Sequence, residues 1–110
     1  MEDLKIRQKC EEMLVYAYVA LRQFPKYEKH VLAAEIRLTA WSVLRLIIIC
    51  NRRYHKKTTM QDLDAELDLL RSQIRIAHEL KYLPFKQYEL WTRQVDEIGK
   101  MIGGWIRSST

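Results

Sequence analysis

The stretch NRRYHKK, residues 51–57, gathers Arg52, Arg53, His55, Lys56 and Lys57 around Tyr54. Guanidinium and ammonium groups at this density suit phosphate, which they hold by charge-assisted hydrogen bonds that carry no base-sequence information. A local explanation competes, because a helix C-terminus attracts cations through its dipole and its orphan carbonyls. Five such side chains in six residues exceed what capping requires. Upstream, His30, Ala34, Arg37, Trp41, Arg45, Ile48, Arg52 and Lys56 fall within a band of roughly 100° when the segment is projected as a helix. In that band bulky Trp41 and Ile48 alternate with arginines. Three uses stay open for it. It could be a solvated basic face with incidental apolar residues. It could be an oligomer interface that includes Ala34, Trp41 and Ile48, since Trp and Arg are enriched at interface centres. Or it could be a nucleic-acid contact, with Arg37, Arg45 and Arg52 on phosphates and Trp41 available for stacking. The last two are compatible, because assembly repeats each basic patch once per subunit.

Catalytic and metal chemistry finds no comparable support. No Glu-x-x-His occurs, so the carboxylate-bridged di-iron centre of many helix bundles lacks its ligands. His30, His55 and His78 belong to different segments, and neither a Gly-rich phosphate loop nor a GxSxG elbow is present. Cys10 falls on a core stripe, where its thiol is shielded. The expectation is a protein with no catalytic residues, no metal and no cofactor.

Composition agrees with a helical binding protein. Three glycines and two prolines in 110 residues describe one all-α domain, spanning 1–110, without the turns a sheet would need. Of the net +5, the segment from Arg22 to Lys57 carries nine Lys or Arg against Glu28 and Glu35, a local +7, which leaves −2 for the rest. Such asymmetry points to an acidic partner, most often nucleic acid. The start MEDLKIRQK lacks an apolar signal core, and the longest apolar run free of tyrosine, LIIIC, is far too short for a membrane span. A reduced, cytoplasmic setting is therefore expected, with Cys10 and Cys50 buried as small hydrophobes.

Four helices must position these groups. Ile6, Cys10, Met13, Ala17, Leu21 and Phe24 mark one face of a first helix, from about Asp3 to Gln23, which stops at Pro25. A second helix is expected from Lys26 to Tyr54, with Leu32, Ala33, Ile36, Ala40, Val43, Ile47, Cys50 and Tyr54 as its core row. Thr59 and Asp62 resemble a capping box opening a third helix that runs to about Tyr82. Met60, Leu63, Leu67, Leu70, Ile74, Ala77 and Leu80 or Lys81 form its core stripe, with Leu69, Ile76 and Leu83 as a thinner second row. Pro84 starts the fourth, whose stripe is Tyr88, Trp91, Val95, Ile98, Ile102 and Trp105. Gly99 and Gly103, one turn apart, predict close approach of another helix, and Gly104 with the SST tail marks a frayed end. Short connections favour an up-down-up-down antiparallel four-helix bundle.

The segments QFPKYEK (23–29), Ile36-Arg37, ELDLLRSQIRIAHELKYL (66–83) and DEIGKMIGGWI (96–106), taken in order over essentially the whole chain, resemble one family. It is the accessory variability determinant, Avd, of diversity-generating retroelements, within the group of four-helix-bundle proteins first noted in ribosomal RNA intervening sequences. The resemblance implies a homopentameric barrel that binds nucleic acid through basic surface and associates with a reverse transcriptase. It implies work on template RNA and adenine-mutagenic cDNA, without catalysis by this chain. It places Trp41 and Ile48 against a neighbouring subunit and presents Arg37, Arg45, Arg52, Arg53, Lys56 and Lys57 on the assembled surface. Arg71 and Arg75 are further nucleic-acid candidates, with local pairing to Asp68 or Glu79 as the alternative. Intervening-sequence proteins share the fold and the FPK-E motif, so an oligomeric module for protein contacts alone is the alternative function.

Overall fold

The computed structural model describes residues 2–108. Four helices run α1 (Glu2–Leu21), α2 (Leu32–Arg52), α3 (Lys57–Glu79) and α4 (Phe85–Ser108), with a short 3-10 turn over Lys26–Glu28 between the first two. Each helix packs on its two neighbours, and α1 meets α4 to close an antiparallel bundle of about 43 × 23 × 19 Å. The apolar stripes converge as periodicity requires. Ile6, Cys10, Met13, Ala17, Leu21 and Phe24 are buried, as are Leu63, Leu67, Leu70 and Ile74 of α3 and Val95, Ile98 and Ile102 of α4. Trp91 lies at the centre, fully buried, its indole Nε1 pointing at Met13 Sδ 3.4 Å away. Cys10 and Cys50 are both buried, and neither is in a disulfide.

The second helix is shorter than its periodicity suggests. Instead of continuing from Lys26 to Tyr54, the chain makes the 3-10 turn, then a further turn through Val31, before α2 begins. No Gly or Pro dictates this break. Contacts across the bundle do: Tyr82 donates its hydroxyl to Glu28 Oε2 at 3.0 Å, and its ring meets both Phe24 and Tyr27. Arg37 also reaches back to the Lys29 carbonyl at 3.5 Å. At the other end α2 stops at Arg52, so Tyr54 is off the helix and 92 % exposed rather than in the core row. Leu44 and Thr39 bury in that face instead, Thr39 Oγ1 donating to the Glu35 carbonyl at 3.1 Å.

Two helix ends also correct the sequence reading. α3 begins at Lys57, two residues before Thr59, with no side-chain cap, so the Thr59–Asp62 box does not form and Thr59 is buried. α4 runs through Gly104 to Ser108; Ser109 and Thr110 lie outside the described residues. Leu80 is half exposed at the end of α3, and Leu83 takes the buried place beyond it, while Leu69 and Ile76 are likewise half exposed.

The reason is the way α3 ends. The Tyr82 amide donates to the Ala77 carbonyl and the Lys81 amide to the His78 carbonyl, a Schellman closure that puts Lys81 at φ 67. That left-handed position favours glycine, because a Cβ there crowds the neighbouring backbone. Lys81→Gly is expected to raise unfolding stability by ~1 kcal/mol, read as a higher denaturant midpoint at unchanged slope.

Burial supplies a second testable consequence. It pushes the Cys10 thiol up to about 12, with a smaller push from Glu11. In the unfolded chain the thiol ionises near its ordinary 9 while the folded one stays protonated. Its contribution is therefore intact below pH 9 and is lost as pH rises from 9 towards 12. Within that window wild-type stability falls by up to ~1.4 kcal/mol per pH unit more steeply than that of Cys10→Ala, compared by urea melts.

Candidate nucleic-acid interface

The outward band of α2 can be followed along its length. Ala34 is half-buried near the start of the helix, and Arg37 is partly covered by its bond to Lys29. Trp41 is 43 % exposed, and its Nε1 donates to the Tyr18 hydroxyl of α1 at 2.9 Å. Arg45 and Arg52 project into solvent. Ile48 is half-buried against the chain's own core, so intrachain packing already takes part of its surface.

Beyond α2 the backbone of Arg53 is extended, at φ −91 and ψ 143, and its Nη1 donates to Thr59 Oγ1 at 3.4 Å. Lys56 therefore leaves the helical band and becomes the residue before α3, with Nζ 5.4 Å from the centre of the Trp105 ring. The result is a corner, rather than a straight stripe, on which Arg52, Arg53, Lys56 and Lys57 stand beside Tyr54 and His55. Arg37 is fifteen residues before Arg52, about 22 Å away along the helix.

Partnering separates these cations from Arg7, Lys9, Arg71 and Arg93. Arg7 pairs with Glu11, Lys9 with Glu97, Arg93 with Glu89, and Arg71 with both Asp68 and Asp96. Every one of these pairs lies on α1, α3 or α4. Among the described residues Arg37, Arg45, Arg52, Arg53, Lys56 and Lys57 form no ion pair with an acid. Guanidinium groups left without carboxylates keep their full charge for a mobile anion.

Arg71 and Arg75 stand apart from this corner. Arg71 lies at 3.0 Å from Asp96 and 3.3 Å from Asp68. A Cβ on Gly99 would come within 2.7 Å of Arg71 Nη2, so this glycine makes room for a guanidinium, not for the backbone of another helix. Both Arg71 and Gly99 line an open groove of about 440 Å³ with Asp64, Lys100, Gly103 and Arg107, where both signs of charge are present. Arg75 is exposed and touches Ser72 Oγ at 3.4 Å.

One feature escaped the sequence reading. Val15, Tyr18 and Val19 on α1 and Arg22 just past its end lie at helical spacing outside the core stripe, and with Leu14, Trp41 and Leu44 they line a mainly apolar groove of about 480 Å³. Val15 is 68 % exposed. The i, i+3, i+4, i+7 spacing was the available signal. That Tyr18 meets Trp41, twenty-three residues away, was not.

Among the described residues no group of three or more His, Cys, Asp or Glu side chains could hold a metal ion, and no helix is long and apolar enough to cross a membrane. Fold and surface thus define a small antiparallel four-helix bundle with six cations on and just after the second helix that pair with no acid among the described residues. The model of the bAvd-like family matches residues 4–109, and the chain belongs to that family of bacterial Avd-like proteins. Family membership suggests an accessory protein of a diversity-generating retroelement, in a family of generally non-catalytic members. No curated protein sequence matches the chain.

Proposed function

We propose that the chain is a non-catalytic accessory protein of a diversity-generating retroelement that binds nucleic acid and the element's reverse transcriptase, supporting mutagenic reverse transcription of template RNA into cDNA. The observation that carries this reading is the distribution of partners: carboxylates hold Arg7, Arg71 and Arg93 but none of the cations from Arg37 to Lys57. Arg45, Arg52, Arg53, Lys56 and Lys57 are the primary phosphate ligands, with Arg37 and Arg75 at the margins. Arg71 is committed to Asp68 and Asp96 and contributes least.

The protein acts as a homo-oligomer, a pentamer by family resemblance, with Trp41, Ala34 and the exposed edge of Ile48 at the contact. Supporting this are the apolar groove beside Trp41 and the exposure of Leu38, at 69 %, one turn before it. The same groove favours the second reading, a module for protein contacts alone. Sedimentation with and without RNA separates the two. The adaptor runs as a species several times 13.3 kDa and becomes heavier with RNA at low salt. An oligomer that retains no RNA supports the interaction module, and a 13.3 kDa monomer that retains none contradicts both.

A further inference from the structure

The corner between α2 and α3 carries more than charge. Its two ends are anchored, by the Arg53–Thr59 hydrogen bond on one side and the Lys56–Trp105 contact on the other. Between them Tyr54 stands 92 % exposed, edge-on to the His55 ring at 5.0 Å. A phenol ring held that far out adds nothing to the core, and most of its surface stays open to a planar ligand. Beside it opens a cleft of about 710 Å³, within the range of roughly 300–1,000 Å³ typical of small-molecule sites. Met60 and Ile106 give the cleft an apolar floor, Lys56 and Lys57 a cationic wall, and Gln61 a carboxamide able to hydrogen-bond a base edge.

We propose that this corner seats an unstacked base of single-stranded nucleic acid, lying against Tyr54 over the Met60–Ile106 floor, with Arg52, Lys56 and Lys57 on the flanking phosphates. The inference rests on the cationic surface being a nucleic-acid site and narrows that site from any polyanion to a single strand. Charge complementarity selects the polyanion, since no carboxylate pairs with the corner. The exposed ring selects the strand form. A base inside a duplex keeps both faces covered, whereas every unstacked base offers a π-face to an aromatic side chain. Charge by itself would rank the forms the other way, because counterion release per phosphate is greater for duplex, about 0.9 against 0.7 for a single strand.

The test is fluorescence anisotropy of the full chain with a single-stranded RNA and with a duplex carrying the same number of phosphates, for wild type, Tyr54→Ala and Tyr54→Phe. Tyr54 is off every helix and outside the core, so both variants fold. Wild type is expected to bind the single strand at least as tightly as the duplex. Tyr54→Ala weakens the single strand about tenfold and leaves the duplex unchanged, and Tyr54→Phe, which keeps the ring, binds as wild type. A preference for duplex, or an alanine variant that moves both forms equally or neither, overturns the base site while the cationic surface stands. Failure of wild type to bind either form at low salt removes the nucleic-acid reading and this inference with it.

Discussion

Reversing Arg52 and Arg53 to glutamate is expected to lower RNA affinity by about two orders of magnitude at physiological salt, with the bundle intact. Both side chains are exposed, and among the described residues the one side-chain bond either makes is the 3.4 Å contact from Arg53 to Thr59, so folding depends little on them. Losing two phosphate contacts removes roughly 1.4–1.8 from the slope of log K against log salt, which at ~0.15 M is ~20-fold in affinity. Repulsion between the new carboxylates and the phosphates carries the loss towards ~100-fold. Arg71→Glu serves as the contrast: its guanidinium already faces Asp68 and Asp96, so RNA affinity changes by less than ~5-fold. Equal losses in the two variants would show that total charge, not the α2–α3 corner, governs binding.

The largest effect on stability is expected at Trp91. Its side chain is fully buried at the centre of the bundle and its indole Nε1 faces Met13 Sδ. Truncation to alanine leaves a void between α1 and α4 that rigid helices cannot close, at a cost of ~3–5 kcal/mol. A domain of this size holds about 5–15 kcal/mol in total, so Trp91→Ala loses roughly a fifth or more of its stability. Thermal unfolding followed by circular dichroism should move down by at least ~12 °C. A shift of only a few degrees would mean that the centre of the bundle is looser than the burial of Trp91 indicates.

These two sites differ in how legible they were. Trp91 lies on a stripe with Val95, Ile98 and Ile102, and periodicity alone reveals such a stripe because one face of a helix must leave water. The same reasoning recovered six of the eight buried hydrophobic positions from Ile6 to Phe24, missing Leu14 and Ala20, and most of those on α2 and α3. It failed where a contact between distant segments decides the outcome. The break before α2 has no local stop signal and follows from Tyr82 meeting Glu28. The Asp68 partner of Arg71 was visible at three residues' distance, but Asp96, on another helix, was not. The corner was half legible: its cations stand together in sequence, whereas Tyr54 read as a core residue because a helix carried past Arg52 would have turned it inward.

The claim at the centre of this account is that the cations gathered on α2 and at its end are held free of carboxylates so that they can grip phosphates. The most direct measurement is the affinity of the wild-type chain for single-stranded RNA across a salt series. The five primary ligands, Arg45, Arg52, Arg53, Lys56 and Lys57, each on one phosphate, predict that log K falls linearly with log salt at a slope of about −3.5 per chain. A slope indistinguishable from zero, or no binding at the lowest salt, would contradict it.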